Sequence, residues 1–150
     1  MNQIITKPNI GKRFLAGLVD YIIIYSFMYV LIFTFGELNN EGEYSLSGLA
    51  AFIPLIFWLV MTVGLESFLG ATLGNALVNL KPIPKNGLNR KLTLTESFKR
   101  HLLDPIDMFF FGLIAIITIK NTDLNQRLGD LWAKTIVVSD KYTGNSSLKE

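Results

Sequence analysis

The chain has no cysteine and a single histidine, His101. The first absence excludes disulfides, thiolate metal sites and cysteine nucleophiles, and the second leaves no histidine cluster to hold a metal. Charge is scarce too. Of 150 residues 17% are charged, against about 25% in an average soluble domain. The net charge of +2 is small and its basic residues are scattered between apolar blocks, so nucleic acid is not an expected partner. No G-K-[ST] accompanies the glycines, which excludes a phosphate-cradling P-loop. No cofactor is expected. What the chain does have is hydrocarbon: half its residues are hydrophobic and its mean hydropathy is +0.38. That balance points to a membrane, and the length to one domain.

A spanning helix needs about 20 mostly apolar residues. Phe14 to Phe35 provides the first, with Asp20 as its one charge, and Gly48 to Gly70 the second, with Glu66 as its one charge. A third apolar run, Leu102 to Ile119, is shorter and contains Asp104, Pro105, Asp107 and Gly112. The first run is too long for the core of a signal peptide and no A-x-A site follows it, so an uncleaved anchor is expected. Lys7, Lys12 and Arg13 precede the first span, the loop to the second has glutamates and no lysine or arginine, and six basic residues lie between Lys81 and Arg100. The positive-inside rule therefore places the N-terminus and the 71–100 loop in the cytoplasm. Three crossings would put the C-terminus outside, yet Lys120, Arg127, Lys134, Lys141 and Lys149 follow the third run. A broken or re-entrant third segment resolves that conflict, although a crossing stays open.

The fold class expected is thus an all-α integral membrane protein: two transmembrane helices, a third broken or re-entrant one, a small cytoplasmic β-hairpin and short amphipathic helices. The hairpin is read from NALVNLKPI and KLTL flanking the turn KNG. Thr95 is expected to cap a helix over TESFKRHLL, with Lys99 and Arg100 on its polar side at the interface. LNQRLGDLWA reads as another short helix and TIVV as a strand.

A carboxylate in hydrocarbon costs at least about 2.5–3.5 kcal/mol unless it is paired, protonated or wetted. Asp20 needs one of these. Arg13 lies seven residues before it, on nearly the same helix face but about 10 Å along the axis, too far for direct contact unless the arginine reaches down the helix. Glu66 ends the antiparallel second span, so Arg13, Asp20 and Glu66 gather near one leaflet. The blander readings are that Arg13 snorkels to headgroups, that Asp20 only helps helices pack, and that Glu66 reaches water. Tyr21, Tyr25 and Tyr29 recur every four residues, a stripe that more often packs than conducts. Gly70 and Gly74 form G-x-x-x-G, best read as close packing or a turn.

RFLAGLVDYIII resembles the opening of RDD-family membrane proteins, in which an arginine starts the first membrane helix and an aspartate lies inside it; Arg13 and Asp20 fit. GATLGNALVNLKPI is similar to the family's G-x-T-x-G-K segment, and QRLGDLWAKTIVV to its R-L-G-D ending. The resemblance runs from Ile10 to Val138 and makes residues 1–140 one RDD-like membrane domain with a polar tail, 141–150. It implies that the second aspartate is Asp130, with Asp107 as rival; both join Asp20 and Glu66 as ion- or proton-binding candidates, with Arg13 and Arg127 as charge partners. The chain departs from the pattern at Asn75, where lysine is usual, and at Asn79, where glycine is common. The resemblance implies transport of a ligand it does not identify, with cation–proton antiport the activity proposed for some members of the family.

The function expected is therefore that of a small multi-pass cell (inner) membrane protein that carries a small ion on intramembrane carboxylates: Asp20 alternates between a proton and a cation, Arg13 tunes it, and Glu66 competes with it or forms the inner mouth. Two or three spans hardly enclose a pathway, so a homo-oligomer in contact with membrane lipid is expected. The rival is a non-transporting anchor or assembly module whose basic loop meets anionic lipid. An enzyme ranks third, since the acids form no familiar protease signature.

Overall fold

A computed structural model describes residues 6–38, 40–86 and 90–139. The tail expected at 141–150, with Lys141 and Lys149, lies outside the described residues, as does Gly87 of the KNG turn.

Helix α1 runs Ile10–Phe35. Its buried residues, Ala16, Asp20, Ile24 and Leu31, recur at spacings of four, four and seven, so they line one face. Phe14, Leu18, Ile22 and Phe33 on the other faces are exposed. Asp20 therefore lies on the stripe that faces protein. A two-stranded ribbon, β1 (Glu37–Leu38) with β2 (Tyr44–Ser45), closes the following acidic loop.

The second apolar run forms one helical rod, Gly48–Leu69. It opens with a 3₁₀ turn, continues as α2 (Ile53–Leu59), widens into a π turn at Val60–Gly64 and ends as α3 (Leu65–Leu69). The wide turn goes with the Thr62 hydroxyl donating to the Trp58 carbonyl at 2.7 Å. Phe27 stacks on Phe57 with centroids 3.8 Å apart, which joins the rod to α1. Ile10–Phe35 and Gly48–Leu69 are both long and apolar enough to cross a bilayer, with mean hydropathies of 2.0 and 2.2 over their most apolar stretches.

After the rod, Gly70 turns in the left-handed region and Thr72 caps α4 (Leu73–Leu77). A Cβ on Gly74 would stand 2.0 Å from the Ala16 carbonyl oxygen, so only glycine lets α4 lie against α1. Both halves of the G-x-x-x-G reading hold, one glycine turning and one packing. Asn79 adopts φ 56, a conformation asparagine accepts more readily than most residues, which accounts for its standing where glycine is common.

The expected hairpin is not formed. Strand β3 (Leu80–Pro84) pairs antiparallel with β4 (Thr135–Ser139), from Leu80↔Ser139 to Pro84↔Thr135. NAL belongs to α4, and Lys91 to Thr93 are not strand. The ribbon has two edges, which tolerates Pro82 and Pro84, neither of which has an N–H to give. TIVV offers alternating β-branched side chains to Leu80 and Ile83, and Ile83, Ile136 and Val138 close into a small core with Leu124. Helix α5 spans Leu94–Leu102, and its cap is Thr93 rather than Thr95. Thr93 and Glu96 have the three-residue spacing a capping box requires: the Thr93 N–H donates to Glu96 at 2.8 Å and the Glu96 N–H to the Thr93 hydroxyl at 3.3 Å.

The third apolar run is broken, as expected. Helix α6 (Asp104–Asp107) follows α5, and α7 (Phe109–Lys120) leaves at 117° to them. The bend contains three successive left-handed residues, Phe110, Phe111 and Gly112. Helix α8 (Leu128–Ala133) then packs on α5 and leads into β4.

Candidate functional site

The polarity of α5 is the reverse of what an interfacial helix would show. Ser97, Arg100 and His101 are buried, while Leu94, Phe98 and Leu102 are exposed. Arg100 is therefore not on a solvated face, which corrects its expected grouping with Lys99; Lys99 instead stands over the Trp132 ring at 5.8 Å. With Asp104, the buried residues fall at i, i+3, i+4 and i+7, one continuous stripe aimed at the second rod and at α8.

Glu66 meets that stripe. It is fully buried, accepts from the Ser97 hydroxyl at 2.8 Å, and pairs with Arg100 Nε at 3.1 Å and His101 Nε2 at 3.3 Å. Although it ends the second rod, α5 covers it, so Glu66 stands inside a charge network and not at an open helix end. His101 Nδ1 lies 2.8 Å from Asp104 Oδ2, so the imidazole bridges two carboxylates and, doubly protonated, donates to both. Tyr21 donates to Asp104 at 3.2 Å. In the tyrosine stripe it is the member that reaches a polar partner, while Tyr25 and Tyr29 are exposed.

Asp130 is the second focus. It is fully buried and pairs with Arg13 at 3.1 Å and with Arg100. The Arg127 N–H donates to it at 3.1 Å. Burial disfavours its charge, but the guanidiniums of Arg100, Arg13 and Arg127 outweigh burial and hold the carboxyl below its ordinary value of 3.8. Burial likewise works against the charge on Arg127; Asp104, Asp130 and Asp107 more than offset it and raise that group above its ordinary value. Arg127 lies 2.7 Å from Asp104 and 3.7 Å from Asp107. Asp107 accepts the Leu128 and Gly129 N–H groups, each at 3.0 Å, at the start of α8. A Cβ on Gly129 would fall 2.3 Å from the Arg100 carbonyl oxygen, so glycine is what lets α8 come this close.

The sequence candidates Arg13, Glu66, Asp107, Arg127 and Asp130 thus belong to one buried network, joined by Arg100, His101 and Asp104. Counting the imidazolium, four positive groups face four carboxylates. The contact of Arg13 with Asp130 puts the start of α1 and the R-L-G-D turn on the same face of the molecule.

Asp20 stands apart. Arg13 does not reach it. Its Oδ1 accepts the Gly74 N–H at 2.7 Å, and among the described residues it has no ion pair. It lines a cavity of about 590 Å³ whose polar side also holds Tyr21, Thr62 and Asn75 and the network residues Arg13, Arg100, His101, Asp104, Asp107 and Arg127, and whose apolar side holds Phe14 and Phe110. Among the described residues no group of three or more His, Cys, Asp or Glu is arranged to hold a metal ion.

These features define a class: a predominantly helical, membrane-type protein built around buried, mutually paired charges. Residues 7–134 match the RDD family, and the chain belongs to it. No curated protein and no solved structure matches the chain.

Proposed function

We propose that the protein is a carrier, or a component of one, that exchanges a cation for a proton at Asp20 in the cell membrane. One observation carries this reading. Of the five buried acids among the described residues, Glu66, Asp104, Asp107 and Asp130 form ion pairs with arginine or histidine, whereas Asp20 forms none: the cations that line its cavity, Arg13, Arg100, His101 and Arg127, are engaged by the other four acids. A desolvated carboxylate with no counter-ion takes up a proton or a ligand cation, and competition between the two is exchange. The paired acids have their charge already neutralised, so they hold the walls. Arg13 positions those walls and does not tune Asp20 directly.

On this reading α1 and the Gly48–Leu69 rod cross the membrane, the N-terminus and the 71–100 loop are cytoplasmic, and copies of the chain assemble to close a pathway. The protein is then not an enzyme. A cysteine at Glu41 reacts with an impermeant thiol reagent on intact cells, and one at Lys85 only after permeabilisation; the opposite pattern reverses the orientation. The exchange itself is tested in proteoliposomes loaded with sodium and an internal pH dye. The wild type acidifies or alkalinises its lumen when a sodium gradient is imposed, and Asp20→Asn does not. No proton movement at any pH, with oligomers intact, defeats the reading.

The four-against-four network favours a second reading, a non-transporting assembly module in which the charges only lock helices together. It requires that Asp20→Asn weaken assembly while wild type and variant alike show no flux.

A further inference from the structure

The cavity at Asp20 is larger and more apolar than an inorganic ion requires. Its volume of about 590 Å³ lies in the range of about 300–1,000 Å³ that drug-sized ligands occupy. Hard cations take six or more oxygen ligands, and the other charged groups that line the cavity, Arg13, Arg100, His101, Arg127, Asp104 and Asp107, belong to the paired network, which leaves Asp20 as its one unpaired charge among the described residues. An ion sitting there would leave most of the volume to water held against Phe14, Leu18, Met108, Phe110 and Phe111. Two of those rings are placed at a conformational cost: Phe110 and Phe111 lie in the left-handed region at φ 48 and 57, which non-glycine residues rarely adopt. The bend they form sets aromatic surface on the cavity and leaves the same residues 71% and 89% exposed on the apolar exterior. Phe14, Phe110 and Phe111 thus give the cavity an aromatic wall.

We infer that the ligand of Asp20 is a lipophilic organic cation, its charge against the Asp20 carboxylate and its hydrocarbon against Phe14, Phe110 and Phe111. The inference rests on the reading of Asp20 as the exchangeable carboxylate and names its ligand class. Burial of the apolar part supplies binding free energy in proportion to area, and aromatic faces attract a cation within about 6 Å. When a monovalent cation binds the protonated site, the O–H bond of Asp20 gives its proton to solvent and the carboxylate takes the cation, so charge in the cavity is unchanged.

The test is equilibrium binding of tetraphenylphosphonium to the purified full chain in nanodiscs. Saturable binding is expected, tighter as pH rises, with about one proton released per cation bound. Asp20→Asn weakens it about tenfold or more while keeping the Gly74 N–H bond, because an asparagine oxygen still accepts. A second variant probes the space. A Cβ on Gly17 meets Met108 Cε at 3.6 Å, an ordinary contact, so Gly17→Ala is accommodated and binds like wild type, whereas Gly17→Leu fills the cavity and abolishes tetraphenylphosphonium binding. An unchanged thermal midpoint shows that each variant is folded. If sodium or lithium displaces protons through Asp20 while tetraphenylphosphonium does not bind, the ligand class is wrong and the exchange reading stands. If neither kind of cation displaces a proton from the wild type, both fall. Repeating the binding with phosphatidylethanolamine in place of phosphatidylglycerol identifies the source of the ligand: competition points to a lipid amine headgroup, its absence to a free amphiphilic cation, and both outcomes keep the class.

Discussion

Asp20 and Asp130 are the same residue type, both buried, and they live in opposite surroundings. Asp130 sits against the guanidiniums of Arg13 and Arg100, with Arg127 3.9 Å away. Asp20 has a backbone N–H at 2.7 Å and a cavity. The first is a fixed charge whose removal strands its partners. The second has no ion pair among the described residues, and on the proposed reading it is the one that exchanges. Burial is common to both acids; ion pairing is what differs between them.

The largest effect that sharpens this contrast belongs to Asp130→Asn. It leaves Arg13 and Arg100 without their shared anion, and breaking a buried pair costs about 3–5 kcal/mol. Denaturant unfolding of the purified protein should show that loss, and a change under 1 kcal/mol would mean that the network is not holding the helices. The effect depends on pH with a definite sign. The folded carboxyl is held below its ordinary value of 3.8, so its contribution is complete above that value and disappears as pH falls through the depressed one. The gap between wild type and Asp130→Asn should be constant near neutrality and shrink below about pH 4.

Next in size is Gly129→Ala. Its Cβ meets the Arg100 carbonyl oxygen at 2.3 Å, and overpacking of this kind costs about 1–3 kcal/mol; a thermal midpoint equal to wild type would show that α8 slides freely on α5. Asp20→Asn comes third for stability, about 1 kcal/mol for one weakened hydrogen bond, although its loss of cation–proton exchange is complete. An Asp20 variant as unstable as Asp130→Asn would erase the contrast between the two acids. The smallest effect is Glu96→Ala, which removes the capping box for about 1 kcal/mol and leaves cation binding unchanged; lost binding would mean that α5 is less anchored by Glu66 than its contacts imply.

The two apolar rods were legible from run length alone, and the broken third run from Asp104, Pro105 and Gly112. The β ribbon was not. Its strands are about fifty residues apart, and KNG between two short apolar stretches looks like a local hairpin whether or not one forms. Helix α5 was misread for a different reason. Amphipathicity says that a helix has two faces, and it takes the surroundings to say which one is covered; here the polar face turns inward, against Glu66 and Asp130. The helical spacing of Ser97, Arg100, His101 and Asp104 is present in the sequence and goes unread there, and the direction of that stripe is supplied by the packing of α3 and α8. For the site, Arg13, Asp20, Glu66, Asp107, Arg127 and Asp130 were all candidates, but their pairing depends on contacts between distant segments. Arg13 and Asp20 share a helix face without sharing an interaction, because Asp130, 117 positions away, returns to take the arginine.

The most direct test of the account is infrared difference spectroscopy on the purified protein, recorded before and after addition of sodium and, separately, of tetraphenylphosphonium. The account predicts that the carbonyl band of a protonated carboxylic acid is lost on cation binding, and that this change is missing in Asp20→Asn and retained in Asp130→Asn wherever that variant folds. A cation-induced carboxyl band that survives Asp20→Asn, or no band change in the wild type with either cation, would contradict it.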